Sequence, residues 1–275
     1  MSTQTPATLR VAPDPGAPGL TRPVTGRDQS GAPVDLRVVE ERPLTIYLNS
    51  REIVTAMTLG DHPKWLGLGF LVNQGMIRRS DTVTGIDHDP ELGVVVVRTA
   101  GETNHEAKLA RATRTSGCAV GTVFGDMMEG LAGLTLPSTP VRVSDLSSLS
   151  AAISRTPSLY LEAGAIHGTC LCHGPDPIAY FEDVGRHNAV DKLAGWMRVT
   201  ETDPADKTLY TTGRLTSEMV IKCALMGIPS LVSRSGFTAW GVDIARQVGL
   251  TVIGRMKGSR FICLSGEERV IWDMP

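Results

Sequence analysis

The stretch Ile178-Ala-Tyr-Phe-Glu-Asp-Val-Gly-Arg-His-Asn-Ala-Val-Asp-Lys192 changes period halfway along. Ile178 to Phe181 is apolar and suits a strand. A helix pattern runs from about Gly185 to Met197, and Asp183 stands at or just before its start. A strand that passes through a short polar turn into a helix is the repeating unit of an α/β sheet. The pattern recurs downstream. Leu209 to Thr212 reads as a strand, Ser217 to Met226 as a helix stopped by Gly227, and Pro229 to Ser233 as a strand. Trp240 to Gly249 reads as a helix, with strands at Leu250 to Gly254 and Phe261 to Leu264. Gly227 and Gly249 fall at helix-to-strand joints, where a C-terminal glycine is expected. Upstream, Ala163 to Cys172 reads as a further strand. The second half is therefore α/β around one central sheet.

The first half reads differently. Leu44 to Ser50 alternates and reaches a turn, and Arg51 to Met57 suits the return strand of a hairpin. Asp61 and Pro63 suit the cap and first turn of a helix that Gly75 ends. Gly93 to Arg98 is a strand. This is a small α+β unit. Before it, the chain up to about Pro33 is rich in Pro, Gly, Thr and Ser and reads as a mobile tail, parts of which can order against the body. The expected division is a tail over 1–36, an α+β domain over 37–112 and an α/β domain over 113–275.

Composition narrows the class. The chain has 275 residues, 27 basic and 29 acidic, for a net charge of -2. A binder of nucleic acid through phosphate contacts would be more basic. No run approaches the ~20 apolar residues of a membrane helix, and the N-terminus lacks the apolar core of a signal peptide. Five cysteines make an odd set without a disulfide framework, which suits reduced thiols in the cytoplasm.

Four stretches carry chemistry. Cys118 lies in a loop over Thr113–Asp126, among small residues, with Arg111 and Arg114 close enough in sequence to favour a thiolate. A packed small hydrophobe is the other reading. Cys170 and Cys172 share one face of their strand while His167 and His173 point to the other, so packing suits them better than a shared metal. In the opening stretch His187 and Asp191 are i, i+4, so the carboxylate can orient the imidazole. Arg186, Asn188 and Lys192 add donors suited to phosphate. A solvated helix face with a capping Asp is the alternative. Gly213 and Arg214 lie in a strand-to-helix turn, and Ser233 to Thr238 repeats that design. Arg255-Met256-Lys257-Gly258-Ser259-Arg260 follows another strand and suits a bound phosphate or a basic hairpin. Polar, glycine-bearing loops at successive strand ends point to one shared anion or nucleotide site.

These residues together are similar to the formate dehydrogenase accessory sulfurtransferases, the FdhD/NarQ family. The likeness runs from about Glu41 to Cys263. It rests on Arg42-Pro43-Leu44, Gly60-Asp61, Leu68 to Leu71, Thr115 to Cys118 and, most specifically, Glu182 to Lys192. Gly213-Arg214, Glu218 to Val220 and Gly227 to Pro229 continue it. The resemblance implies a cytidine-deaminase-like C-terminal domain without a zinc site, a small N-terminal domain and a homodimer. It implies that sulfur passes from a cysteine desulfurase, as a persulfide on Cys118, to the molybdenum cofactor in its bis-guanine-dinucleotide form, for the formate dehydrogenase apoenzyme. GDP would mimic that cofactor, and the segment Arg255 to Arg260 matches the one assigned to it. No metal of its own is implied. The expected site is Cys118 with Asp183, Arg186, His187, Asn188, Lys192, Gly213, Arg214 and residues 255–260. The family often has Cys-x-x-Cys in the loop. Here the second position is Gly121, so either one cysteine suffices or this member works differently. The alternatives are a cofactor-delivering chaperone without sulfur chemistry, and a metal-binding regulator using Cys170 and Cys172.

Overall fold

The computed structural model describes residues 9–101, 128 and 130–274. Cys118, with Arg111, Arg114, Gly121 and the loop expected over Thr113–Asp126, lies outside the described residues.

The expected hairpin is β3 (Arg42–Leu48) and β4 (Arg51–Thr58). It turns at Asn49, whose φ is 55°. With β5 (Val83–Asp89) and β6 (Val94–Thr99) it makes a sheet of order β4-β3-β6-β5. Leu44, Ile46, Leu48, Val95 and Val97 alternate inward and bury against helix α1 (Pro63–Asn73). Ahead of this unit, β1 (Thr21–Arg27) and β2 (Pro33–Val39) pair as an antiparallel hairpin. That departs from the tail expected over 1–36. Thr21, Val24, Thr25 and Val34 are β-favouring residues, and Asp28 closes the turn by accepting from the N–H groups of Ser30 and Ala32.

The second half is one six-stranded sheet. Its strands are β8 (His167–His173), β9 (Asp176–Asp183), β10 (Thr208–Thr211), β11 (Ser230–Ser233), β12 (Thr251–Lys257) and β13 (Arg260–Ser265). Their order is β13-β12-β11-β10-β8-β9. The strands β10, β11 and β12 are parallel; β8 and β13 run antiparallel to their neighbours. The strand faces alternate cleanly. Leu171, Phe181, Leu209, Leu231 and Val252 pack under α4 (Arg186–Val199), α5 (Ser217–Leu225) and α6 (Ala239–Val248). Cys170, Cys172, Tyr180, Tyr210, Val232 and Ile253 pack on the other face under α2 (Val143–Arg155). Adjacent β7 (Val141–Arg142) pairs with β14 (Val270–Ile271). The strand expected from Ala163 begins at His167. Before it, α3 (Leu159–Ala163) is capped by Ser158 and stopped by Gly164 at φ 72°.

The two halves meet at helix α1 on helix α4. Gly67 and Gly69 sit inside α1, where each costs about 1 kcal/mol of helix propensity. A Cβ on Gly67 would lie 2.6 Å from Val95, and one on Gly69 only 1.7 Å from the Asp191 carbonyl oxygen. A Cβ on Gly195 of α4 would lie 2.0 Å from the Trp65 oxygen. The glycines let α1 press against its own sheet on one side and against α4 on the other. Gly69→Ala should therefore destabilise the protein by about 3 kcal/mol or more. Gly101→Ala, where an added Cβ meets nothing within 4 Å, is the neutral control. Denaturant unfolding of both variants measures this.

Candidate functional site

The registers bring the C-terminal ends of β9, β10, β11 and β12 and the N-terminal end of β8 to one edge of the sheet. The helices α4, α5 and α6 each start just after β9, β10 and β11, so their N-termini also point there. Helix N-termini and strand carboxyl ends favour anions.

The loops at this edge are stitched together. The N–H of Thr212 donates to Gly168 O at 2.9 Å, and the N–H of Gly168 donates to Thr212 Oγ1 at 3.0 Å. Ser233 Oγ donates to Gly213 O at 2.7 Å. Leu215 N–H donates to Gly236 O, and Arg255 N–H to Ser235 O, each at 2.8 Å. A Cβ on Gly213 would lie 2.9 Å from the Arg186 side chain, so glycine there lets Arg186 lie across the loop.

The expected site residues separate into two groups. Asp183 and Lys192 point inward and hold the architecture. Lys192 is fully buried; its Nζ lies 2.6 Å from Asp183 Oδ2, pairs with Asp61 and donates to Glu182 O at 2.8 Å. Its pKa is raised: burial opposes the charge, but Asp183 and Asp61 outweigh it. Asp183 also accepts from Thr58 Oγ1, from Gly185 N–H at 3.1 Å and from Asn188 Nδ2 at 3.0 Å. Asn188 Nδ2 further donates to Met57 O. Asp61 therefore does not cap α1. That position belongs to His62, at φ 49° and without a side-chain cap bond.

The pairing expected between His187 and Asp191 is replaced. Asp191 accepts from Lys222 Nζ at 2.7 and 2.8 Å and from Asn73 Nδ2 at 2.6 Å. A buried lysine is a stronger partner for a carboxylate than a neutral imidazole. His187 instead places Nε2 3.2 Å from Glu218 Oε2 on α5. Burial holds the His187 imidazole below its ordinary pKa, although Glu218 pulls the other way.

The other expected residues stay at the strand ends. Arg186 is half-buried, Gly213 is buried and Arg214 is exposed. Residues 255–260 form the tip of the β12–β13 hairpin, with Arg255 at φ 54° and Gly258 at φ 61°. Arg255, Lys257, Gly258, Ser259 and Arg260 are exposed, while Met256 packs into the core beside α2. Met256, Lys257 and Gly258 line a cavity of about 320 Å³ together with Tyr160, Glu182 and Arg234. Glu182 is held by Ser158 Oγ and Leu159 N–H, and burial raises its pKa. A more apolar cavity of about 460 Å³ lies at the far end of α4, by Met197 and Arg198; none of these chemistry-bearing residues lines it.

Arg234 falls within the polar loop Ser233 to Thr238 and Glu218 opens the matched stretch Glu218 to Val220, so both carry a signal in the sequence; Tyr160 carries none. His167 was weighed only as a metal ligand. It stands at the start of β8 with Nδ1 3.3 Å from Thr212 Oγ1. Cys170 and Cys172 are buried on the α2 face as expected, and burial pushes the Cys172 thiol up.

The FdhD/NarQ family pattern matches residues 39–271. The chain belongs to the FdhD/NarQ family. It is 31% identical to the sulfur carrier protein FdhD of Geobacillus kaustophilus, over 84% of this chain and 89% of that protein. It is 32% identical to the sulfur carrier protein FdhD of Chromobacterium violaceum, over 86% and 90%. The fold also matches the crystal structure of a protein from Desulfotalea psychrophila assigned as a formate dehydrogenase accessory protein. That match has a TM-score of 0.75 at 27% identity and covers 91% of this chain and 98% of that one. The family assignment and the α/β reading of the sequence agree with these findings.

The histidines give the protein an acid-side instability. Burial depresses His187, His167 and His62 below the ordinary value of 6.5. The unfolded chain then binds more protons than the folded one below that pH, so stability is retained above about pH 6.5 and falls as pH drops through it. Denaturant unfolding across about pH 5.5 to 7.5 should show that slope. His187→Gln should make it shallower, whatever it does to stability at the upper pH.

Proposed function

We propose that this protein is a sulfur carrier that takes sulfur from a cysteine desulfurase as a persulfide on Cys118 and passes it to a molybdenum cofactor for formate dehydrogenase. The observation that carries this reading is the state of the other cysteines. Cys170, Cys172 and Cys223 are buried, and Cys263 is half-buried. Burial pushes the thiols of Cys172 and Cys223 far up, and that of Cys263 to about 11. A thiol must ionise to act as a nucleophile. Cys118 is the cysteine left for that work, in a sequence of small residues with arginines nearby.

In the first step the Cys118 thiolate attacks the outer sulfur of the donor persulfide. A new S–S bond forms on Cys118, the donor S–S bond breaks and the donor cysteine leaves as a thiolate. No net oxidation occurs. In the second step the outer sulfur passes to the metal of the bound cofactor and Cys118 leaves as a thiolate. The two electrons that convert this sulfur to a sulfido ligand come from the metal. The cofactor is the substrate here, in its bis-guanine-dinucleotide form. Its phosphates are negative and suit the cationic strand ends, with Arg186, His187, Gly213, Arg214 and residues 255–260 as contacts and GDP as a mimic. The same reading carries a homodimer in the cytoplasm and a cytidine-deaminase-like arrangement of the larger domain.

The test is intact-mass analysis after incubation with a cysteine desulfurase and cysteine. The expected result is a gain of one sulfur atom, removed by thiol reductant and absent from Cys118→Ala. A persulfide on another cysteine, or normal formate dehydrogenase maturation with Cys118→Ala, would overturn the reading. The second of those outcomes would favour a chaperone without sulfur chemistry.

A further inference from the structure

The cavity of about 320 Å³ beside Met256, Lys257 and Gly258 is bounded by α2, α3 and the sheet. The strand register builds its wall. Tyr210 of β10 and Tyr180 of β9 flank Cys170 of β8 in one row across the α2 face. In the next row Gly168 lies between Glu182 and Thr212. A Cβ on Gly168 would lie 2.2 Å from the Tyr180 hydroxyl oxygen. Glycine there leaves the space that the phenol occupies.

Tyr180 is only 5% exposed and Tyr210 6%, and both line the cavity. Among the described residues, neither hydroxyl has a hydrogen-bond partner. Buried polar groups are paired as a rule, so two unpaired hydroxyls in a cavity wall are open to a ligand. Burial pushes both phenols above their ordinary pKa, so each hydroxyl keeps its proton and can donate or accept. Glu182 adds an acceptor to the same wall. Its oxygens accept from Ser158 Oγ and, at 2.9 Å, from the Leu159 N–H. Each carboxylate oxygen keeps a second lone pair. Burial raises the Glu182 pKa, and those two hydrogen bonds pull the other way. Two exposed cations complete the lining, Lys257 and Arg234. Arg234 lies over the Tyr160 ring, 4.7 Å from its centroid, which steadies the guanidinium. Among the described ion pairs, none engages either cation. Neutral hydroxyls and a carboxylate inside, with cations at the rim, fit a ligand with an uncharged polar ring and an anionic tail.

We propose that this cavity reads the base of a guanine nucleotide, with Tyr180 and Tyr210 hydrogen-bonding the ring and Glu182 selecting guanine over adenine. This rests on the cofactor reading, which supplies the nucleotide, and it adds base-reading residues outside the hairpin at 255–260. Guanine carries two adjacent donors, N1–H and the 2-amino group, which together suit a carboxylate. Adenine turns its N1 acceptor to the same place, where it meets another acceptor. The phenol hydroxyls serve as donors to O6 and N7, the acceptors of guanine. Arg234 and Lys257 meet the phosphates.

The experiment is titration calorimetry of the full chain with GDP, ADP and pyrophosphate, with thermal unfolding to confirm that each variant folds. GDP should bind at least about a hundredfold more tightly than ADP, which leaves polar groups of the pocket unpaired. Tyr180→Phe and Tyr210→Phe each remove one hydroxyl and should weaken GDP by about three- to tenfold, the cost of one hydrogen bond. Pyrophosphate binding should be unchanged in both. Glu182→Gln should cut the preference for GDP over ADP by about tenfold or more. Lys257→Ala should weaken GDP and pyrophosphate alike and leave that preference intact. Equal binding of GDP and ADP, GDP binding unchanged in both tyrosine variants, or a preference that survives Glu182→Gln overturns the pocket. A loss of pyrophosphate in step with GDP in the tyrosine variants also overturns it, because that reports a collapsed site and not a missing base contact. In each of these cases the cofactor reading stands on the binding of GDP itself. Absence of GDP binding overturns the pocket and the guanine-dinucleotide reading together. The persulfide on Cys118 is tested apart from both, since none of these variants alters a cysteine.

Discussion

The ion cluster around Lys192 governs how the molecule is assembled. A fully buried ammonium costs several kcal/mol in desolvation unless its partners are close and well placed. Asp183 arrives from the end of β9, Asp61 from the turn before α1, and the Glu182 carbonyl from β9. Thr58, from the end of β4, binds the same Asp183. One charge therefore fixes the end of a strand in the large sheet, the start of α4 and the turn leading into α1. A second buried set lies one residue back on α4, where Asp191 joins Lys222 of α5 to Asn73 at the end of α1. Along α1, Gly67 and Gly69 fall between Asp61 before the helix and Asn73 at its end, the residues that join the two clusters. Removing either ion would leave a carboxylate buried and unpaired, which is far more damaging than never having had the pair. The small N-terminal unit is thus a structural part of the wall that supports the strand-end site.

This arrangement sorts the charges. The cations inside α4 and α5 are matched by carboxylates, so they contribute little field outside. Among the described ion pairs none involves Arg214, Arg234, Arg255, Lys257 or Arg260, which lie at the strand ends on the same side as three helix N-termini. The result is a local positive field on a chain whose net charge is only -2. Composition excludes a general polyanion binder, yet it has no bearing on a site that gathers a few arginines at one edge. Burial, and after it the cationic neighbours, lower the pKa of His167; burial lowers that of His187 too, against the pull of Glu218.

The parts of the fold legible in the sequence are those with local signals. The strand and helix alternation after Ile178 shows in the period of the apolar residues, and Gly227 and Gly249 mark their joints. The bulk of the strand-end site is legible for the same reason, because each strand is followed by a polar loop. The rest depends on contacts distant in sequence. Asp183 meets Thr58 across 125 positions, and Asn73 meets Asp191 across 118. No local pattern announces such pairs. The rule that sets His187 against Asp191 fails because tertiary packing offers Asp191 a buried lysine. The hairpin over β1 and β2 was hidden by a composition typical of tails. Tyr160 was hidden in a short helix whose role only appears when it packs against Arg234.

A sulfur carrier must also keep sulfur from reaching the wrong thiol. Persulfides exchange with any accessible thiolate, so each extra reactive cysteine is a leak. The fold buries Cys170, Cys172 and Cys223 and half-buries Cys263. Cys170 and Cys172 are core residues of the α2 face and Cys223 of the opposite one. Cys263 is the most exposed of the four, and burial pushes its thiol up to about 11, so the neutral thiol dominates near neutral pH. Packing that looks purely structural therefore has a chemical consequence. On the proposed persulfide route it leaves exchange to Cys118, and a second loop cysteine is not needed to make that route selective. Glycine at position 121 is compatible with that economy: a single-thiol carrier has no neighbour with which its persulfide can collapse to a disulfide.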